Sequence, residues 1–195
     1  MGMKNRISKC IQSSVENFNT LLNDQHFLQT IEQIVGVCIS AFEQDKKILL
    51  CGNGGSASDA QHIAAELSGR FYKDRKPLFA EALHVNSSYM TAVANDYGYE
   101  HTYVRMLQAA GRKGDILIGI STSGNSPNVV KALEKANEVG LTTIGFTGQD
   151  GGKMNAMCDF MIKIPSDDTP RIQEAHILIG HIICQLIEEE LFPDA

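Results

Sequence analysis

No long basic run, no C-x-x-C pair and no apolar stretch of membrane-spanning length occurs in this chain of 195 residues. The first absence removes the electrostatic footprint that direct nucleic-acid binding requires. With a formal net charge of -6 and acids and bases spread along the chain, the modest acidity speaks for solubility rather than for a cationic partner. The charged start Met1-Gly2-Met3-Lys4-Asn5-Arg6 is followed by no apolar segment of secretory type. The five cysteines (Cys10, Cys38, Cys51, Cys158, Cys184) are odd in number and far apart. That argues against a disulfide framework and a cysteine zinc site, and fits small buried side chains in a reducing cytosol. Repeats and low-complexity tracts are also missing. Missing too are G-x-x-x-x-G-K-S/T and G-x-G-x-x-G, which disfavours nucleoside triphosphates and dinucleotides as ligands.

What is present is an alternation of helix and strand patterns. Ile7, Ile11, Val15, Phe18 and Leu22 recur at helical steps. After a break and cap at Asn23-Asp24, so do Phe27, Ile31, Ile34, Val35, Cys38, Ile39 and Phe42. These two N-terminal helices, within residues 1–45, carry no evident chemistry and read as packing or oligomerisation elements. Short apolar strands follow at 47–51, 115–120, 141–146 and 159–164, with a further short one at 79–83. A helix is expected from about Asn128 to Val139, and a long last helix from about Pro170 to Leu191, with Pro170 suited to its first turn. This order predicts an α/β fold with a mostly parallel five-stranded sheet covered on both faces. The length suits one domain spanning 1–195.

In such sheets ligands collect at the carboxyl ends of the strands, where two unusual loops fall. Strand 115–120 runs into Ser121-Thr122-Ser123-Gly124-Asn125-Ser126 and then a helix. Four hydroxyls around a glycine, in front of a helix N-terminus, suit the three oxygens of a phosphate. A polar turn with one serine as N-cap would need only one of those hydroxyls. Strand 47–51 runs likewise into Gly52-Asn53-Gly54-Gly55-Ser56.

Together these two loops resemble those of the sugar isomerase (SIS) domain, and within it the bacterial phosphoheptose isomerases. The resemblance extends to Ala94-Asn95-Asp96-Tyr97-Gly98, to 147–154 and to Arg171-Ile172-Gln173-Glu174. It implies an SIS-type three-layer sandwich and a sugar-phosphate site lined by Asn53, Gly54, Gly55, Asn95, Asp96, Ser121, Thr122, Ser123 and Ser126, with Glu66 and Gln173. It also implies a homotetramer, and Zn²⁺ held by His62, Glu66, Gln173 and His181.

On the residues alone, His62 and Glu66 share a helix face four apart, and Gln173 and His181 roughly one face eight apart. Taken bare, each pair is better read as a surface His–Glu contact or a histidine satisfied in the core. The resemblance makes Glu66 the general base and His181 the general acid of an aldose–ketose isomerisation, in which a proton moves between adjacent carbons through an enediol. A metal-bound carboxylate is a weaker base and a metal-bound imidazole a poorer acid, so the metal is expected to organise or pre-occupy the pocket. His176 is expected to be structural, His84 and His101 to be surface or packing residues, and His26 to carry no role.

Some relatives carry an assisting acid just before the arginine of the R-I-Q motif. Here Pro170 stands there, with Asp167 and Asp168 upstream, and Asp168 is the weak candidate, its bland role being a helix cap. The rival reading is a non-catalytic SIS scaffold that associates with the bacterial replication initiator, with which this sequence shares Ala60-Gln61-His62 and Leu191-Phe192-Pro193. That relative lacks the acid and histidine matching Glu66 and His181, both present here. A sugar-phosphate-sensing regulatory module would need an attached domain for which the chain has no room.

Overall fold

The computed structural model describes residues 1–194, so the last residue of the expected 1–195 domain lies outside it. Two helices open the chain, α1 (Met3–Asn23) and α2 (Gln25–Glu43), divided at Asp24. Asp24 begins α2 as expected, its carboxylate accepting the Phe27 N–H at 3.0 Å. The rest alternates: β1 (Ile48–Gly52), α3 (Gly55–Ser68), β2 (Ala80–Ala82), α4 (Ser87–Tyr97), a 3-10 turn (Tyr99–His101), α5 (Thr102–Ala110), β3 (Ile116–Ile120), α6 (Pro127–Val139), β4 (Thr142–Thr147), a second 3-10 turn (Gly152–Ala156), β5 (Phe160–Lys163) and α7 (Thr169–Leu191).

All five strands pair in parallel, in the order β2-β1-β3-β4-β5. The expected mostly parallel sheet is thus parallel throughout. Strand side chains alternate between faces, and the core divides accordingly. Ile48 and Leu50, with Ile116, Ile118 and Ile120, pack under α2, α3 and α7. Leu49, Cys51 and Leu117 face α5 and α6. The result is three layers, and each central strand, buried on both faces, reads as a continuous apolar run.

The strand order reverses direction between β1 and β3, since the chain moves from β1 outward to β2 and then returns to the other side. The crevice outside the carboxyl ends of those two strands is where such sheets bind ligands. Gly52–Gly54 and Ser121–Ser126 both end there.

α7 begins at Thr169, one residue before the expected start. Asp168 holds its N-cap position without a side-chain cap hydrogen bond, so the capping role expected for it is not filled. His176 lies wholly inside, as expected of a structural histidine. Its Nε2–H donates to the Thr147 carbonyl at 3.1 Å, and its ring meets Phe146 edge-on.

Burial holds the His176 imidazole at about 4, down from 6.5, against the opposing pull of the Thr147 carbonyl. The unfolded chain therefore takes up this proton first as pH falls. Stability from the neutral ring is complete above about 6.5 and is lost progressively as pH falls toward about 4. Denaturant unfolding at about pH 7 and about pH 5 should show wild type losing on the order of 2 kcal/mol more than His176→Gln. Equal losses in the two proteins would exclude this histidine as the cause.

Candidate functional site

The loop expected to hold a phosphate gathers its hydroxyls in front of α6. Ser126 sits at the N-cap of α6, yet its side chain makes no cap hydrogen bond. Its hydroxyl instead pairs with that of Ser121 at 2.9 Å, inside the loop, with Ser123 Oγ 3.5 Å from Ser121. The simple N-cap alternative is thereby excluded. Gly124 has φ of +63°, and a Cβ there would lie 2.1 Å from the Gly151 carbonyl oxygen. The loop thus rests directly on the backbone of 148–152, and Gly148 N–H donates to the Thr122 carbonyl at 2.9 Å.

Two clefts flank the loop. One, of about 280 Å³, is lined by Thr122, Ser123, Gln149, Ser166 and Asp167. The other, of about 600 Å³, is lined by Asn53, Tyr99, Ser126 and Asn128. Of the two upstream aspartates it is Asp167, rather than the favoured Asp168, that lines a cleft. The Asp168 N–H turns to Ser166 Oγ at 3.1 Å.

Asn53 is held by partners that no sequence pattern indicated. Its carboxamide and that of the buried Asn128 exchange two hydrogen bonds of 2.9 Å, and the Tyr99 hydroxyl donates to Asn53 Oδ1 at 2.9 Å. Gly54 has φ of +56°, where a side chain would strain the turn into α3. Gly55 opens that helix, with the Gln173 carboxamide in the space a Cβ would fill, 2.4 Å from Nε2.

Further along the same two helices a second cluster forms. His62 Nε2 and Glu66 Oε1 are 3.0 Å apart on α3. The His181 ring from α7 meets the His62 ring edge-on, with centroids at 5.0 Å. Ligand-capable atoms of His62, Glu66 and His181 all lie within 4.8 Å of one another. Two imidazoles and a carboxylate at this spacing fit a divalent cation of zinc type. Solute can reach them, since the side chains of His62 and Glu66 are 49% and 22% exposed. Asp59, one turn before His62, is a further acid missed in the sequence. Burial raises its carboxyl pKa, and His62 works against the rise.

Asn95 and Asp96 do not join either cluster. They sit exposed near the end of α4, which packs on α5 and the first 3-10 turn. There the Asn95 carboxamide donates to Asp96 at 2.9 Å. His84 is half-buried, and His101 lies beside Glu100 and Lys131.

A model described as the SIS domain matches residues 14–148. The phosphoheptose isomerase of Clostridium acetobutylicum is 54% identical over 190 residues, 97% of each chain. That of Aneurinibacillus thermoaerophilus is also 54% identical over 190 residues, 97% of this chain and 96% of its own. The chain belongs to the phosphoheptose isomerase family of SIS domains. Solved structures agree. The phosphoheptose isomerase of Neisseria gonorrhoeae superposes with a TM-score of 0.91 at 39% identity, covering 96% of this chain and all of that one. Its counterpart from Francisella tularensis gives 0.93 at 34%, covering 97% and 100%. The chain is thus an isomerase of this family, and nothing in these likenesses supports the replication-initiator scaffold.

The close seat of Gly124 makes it the test of the phosphate loop. Gly124→Ala should destabilise the protein by on the order of 1–3 kcal/mol and weaken sugar-phosphate binding roughly tenfold or more. Thermal melting and calorimetric titration measure the two effects. Wild-type affinity in the variant would remove the loop from the site.

Proposed function

We propose that the protein interconverts D-sedoheptulose 7-phosphate and D-glycero-D-manno-heptose 7-phosphate, in the cytoplasm, as the entry to heptose synthesis for bacterial lipopolysaccharide. The observation that supports this reading is the meeting of Glu66 and His181 from two helices, in a chain that also carries a hydroxyl-rich loop in front of α6.

In this reading the four loop hydroxyls hold the 7-phosphate, with the positive end of α6 behind them. Asn53, Gly54, Gly55 and Gln173 line the sugar, as the family resemblance implies, whereas Asn95 and Asp96, which the resemblance also names, stand apart from it in the single chain. The Glu66 carboxylate removes the proton from C1 of the ketose, and His181 delivers one to the C2 carbonyl oxygen, giving the enediol. Return of the carbon proton to C2, with loss of the O1 proton to His181, leaves the aldose. Each group ends in its starting protonation state, so no redox partner is consumed. His62, Glu66 and His181 suit a bound Zn²⁺, with Gln173 as the fourth ligand of the family pattern. When bound, the ion supplies positive charge that favours the oxyanion of the enediolate.

We also propose a homotetramer. The helical stripe Ile7, Ile11, Val15 and Leu22 on α1 stays exposed in the single chain, which suits burial against further copies. No helix among the described residues is long and apolar enough to cross a membrane.

Incubation with sedoheptulose 7-phosphate should yield the aldose phosphate, and Glu66→Gln and His181→Gln should each lower kcat by about a hundredfold or more. No aldose from metal-replete wild type, or undiminished turnover in both variants, would defeat the assignment. Chelation that left both turnover and KM untouched would remove the metal from it.

Light scattering coupled to size exclusion should give four chains for wild type and fewer for Ile11→Glu. An unchanged mass in the variant would place the assembly contact elsewhere.

A further inference from the structure

Beneath the reacting end of the pocket lies a buried polar cluster that none of the preceding roles uses. Residues 69–79 connect α3 to β2 without helix or strand, and Glu188 of α7 lies under this loop. Its Oε1 accepts the N–H groups of Tyr72 and Lys73, each at 2.7 Å, and its Oε2 accepts those of Phe71 at 3.2 Å and Arg75 Nε at 2.9 Å. Arg75 then turns back onto α3. Its Nη2 donates to the Glu66 carbonyl at 2.8 Å, and its Nη1 to Leu67 at 2.7 Å and Gly69 at 3.2 Å. The Arg75 and Glu188 side chains are 1% and 2% exposed.

The end of the chain closes the cluster. The Phe192 ring lies 5.7 Å from the Arg75 guanidinium, and Lys73 Nζ donates to the Phe192 carbonyl. Desolvation pushes the Glu188 carboxyl up, but the amides of Lys73, Tyr72 and Phe71 and the Arg75 guanidinium outweigh it and hold the group below its usual range.

A buried ion pair contributes little net stability compared with apolar residues of the same volume. What this one supplies is direction, and it acts on both groups that move protons. The last carbonyls of a helix have no partners within it, and here Arg75 fixes two of them, those of Glu66 and Leu67. The loop held by Glu188 carries Phe71, whose ring lies against the His181 imidazole, with centroids 5.7 Å apart at 30°.

We infer that Arg75, Glu188 and Phe71 are positioning residues, which set the Glu66 carboxylate and the His181 imidazole at the mutual geometry that proton transfer requires. The inference rests on the assignment of proton transfer to Glu66 and His181. None of the three needs to touch substrate. Misplacement of a reacting group by an ångström costs up to about a hundredfold in rate, so the effect falls on kcat.

The test uses the full chain with Phe71→Leu, Phe71→Tyr and Glu188→Gln, assayed with sedoheptulose 7-phosphate well below each melting temperature. Histidine ring signals are followed by NMR in the same proteins without substrate. Phe71→Leu should lower kcat about tenfold with KM held within about twofold, and Phe71→Tyr, which keeps the ring, should restore most of it. The His181 ring signals should move in Phe71→Leu and Glu188→Gln while those of His101 stay in place. A folded Phe71→Leu protein with wild-type kcat and unmoved His181 signals would overturn the inference, whether or not Glu188→Gln folds. A moved ring signal alongside full turnover in Glu66→Gln and His181→Gln would instead overturn the catalytic assignment and leave the placement of the ring standing.

Discussion

The reacting end of this molecule depends on how closely α3 and α7 approach. A glycine on each helix makes room for a side chain of the other. A Cβ at Gly180 would lie 2.5 Å from Ile63 Cδ1, and one at Gly55 would lie 2.4 Å from Gln173 Nε2. With neither present, the helices lie close along the stretch between those points. His62 and His181, the immediate neighbours of Ile63 and Gly180 in sequence, therefore meet ring to ring. A larger residue at either position would have to displace the Ile63 or the Gln173 side chain.

The sheet does the complementary task. Its order turns at β1 and β3, which leaves a crevice at their carboxyl ends. Both loops that matter for binding start from those ends, so neither needs to be long. The Ser121–Ser126 loop is stiffened by contact with 148–152, and Asn53 is locked by Asn128 and Tyr99. In the proposed reading anchoring and chemistry are thereby divided. The phosphate would rest on rigid loops at the sheet, while the carbon chemistry would belong to side chains along α3 and α7, each helix carrying one half of the proposed proton-transfer pair.

Much of this was legible in the chain. The central strands are unbroken apolar runs because both of their faces are covered, and the two N-terminal helices show their apolar spacing directly. The phosphate loop was legible because its hydroxyls are contiguous and its glycine has a backbone task. The partners of the site were not. Asn128 lies 75 residues from Asn53, and Glu188 lies 113 from Arg75. No period or motif links positions that far apart. The bland alternative of a helix cap, weighed for Asp168 and for one serine of the loop, is filled by neither Asp168 nor Ser126, whose hydroxyl is engaged with Ser121 instead.

By itself the sequence determined the alternation of strands and helices, the placing of two binding loops after strands, and the same-face spacing of His62 with Glu66. These are local properties, set by side-chain period, backbone freedom at glycine and the chemistry of adjacent residues. The tertiary structure alone decided that Asn128 and Tyr99 hold Asn53, and that Phe71, Arg75 and Glu188 lie beside Glu66 and His181, whose own meeting the family resemblance named but no local pattern did. Those relations exist only once the layers pack, because close packing, rather than anything written along one element, brings distant residues within bonding range.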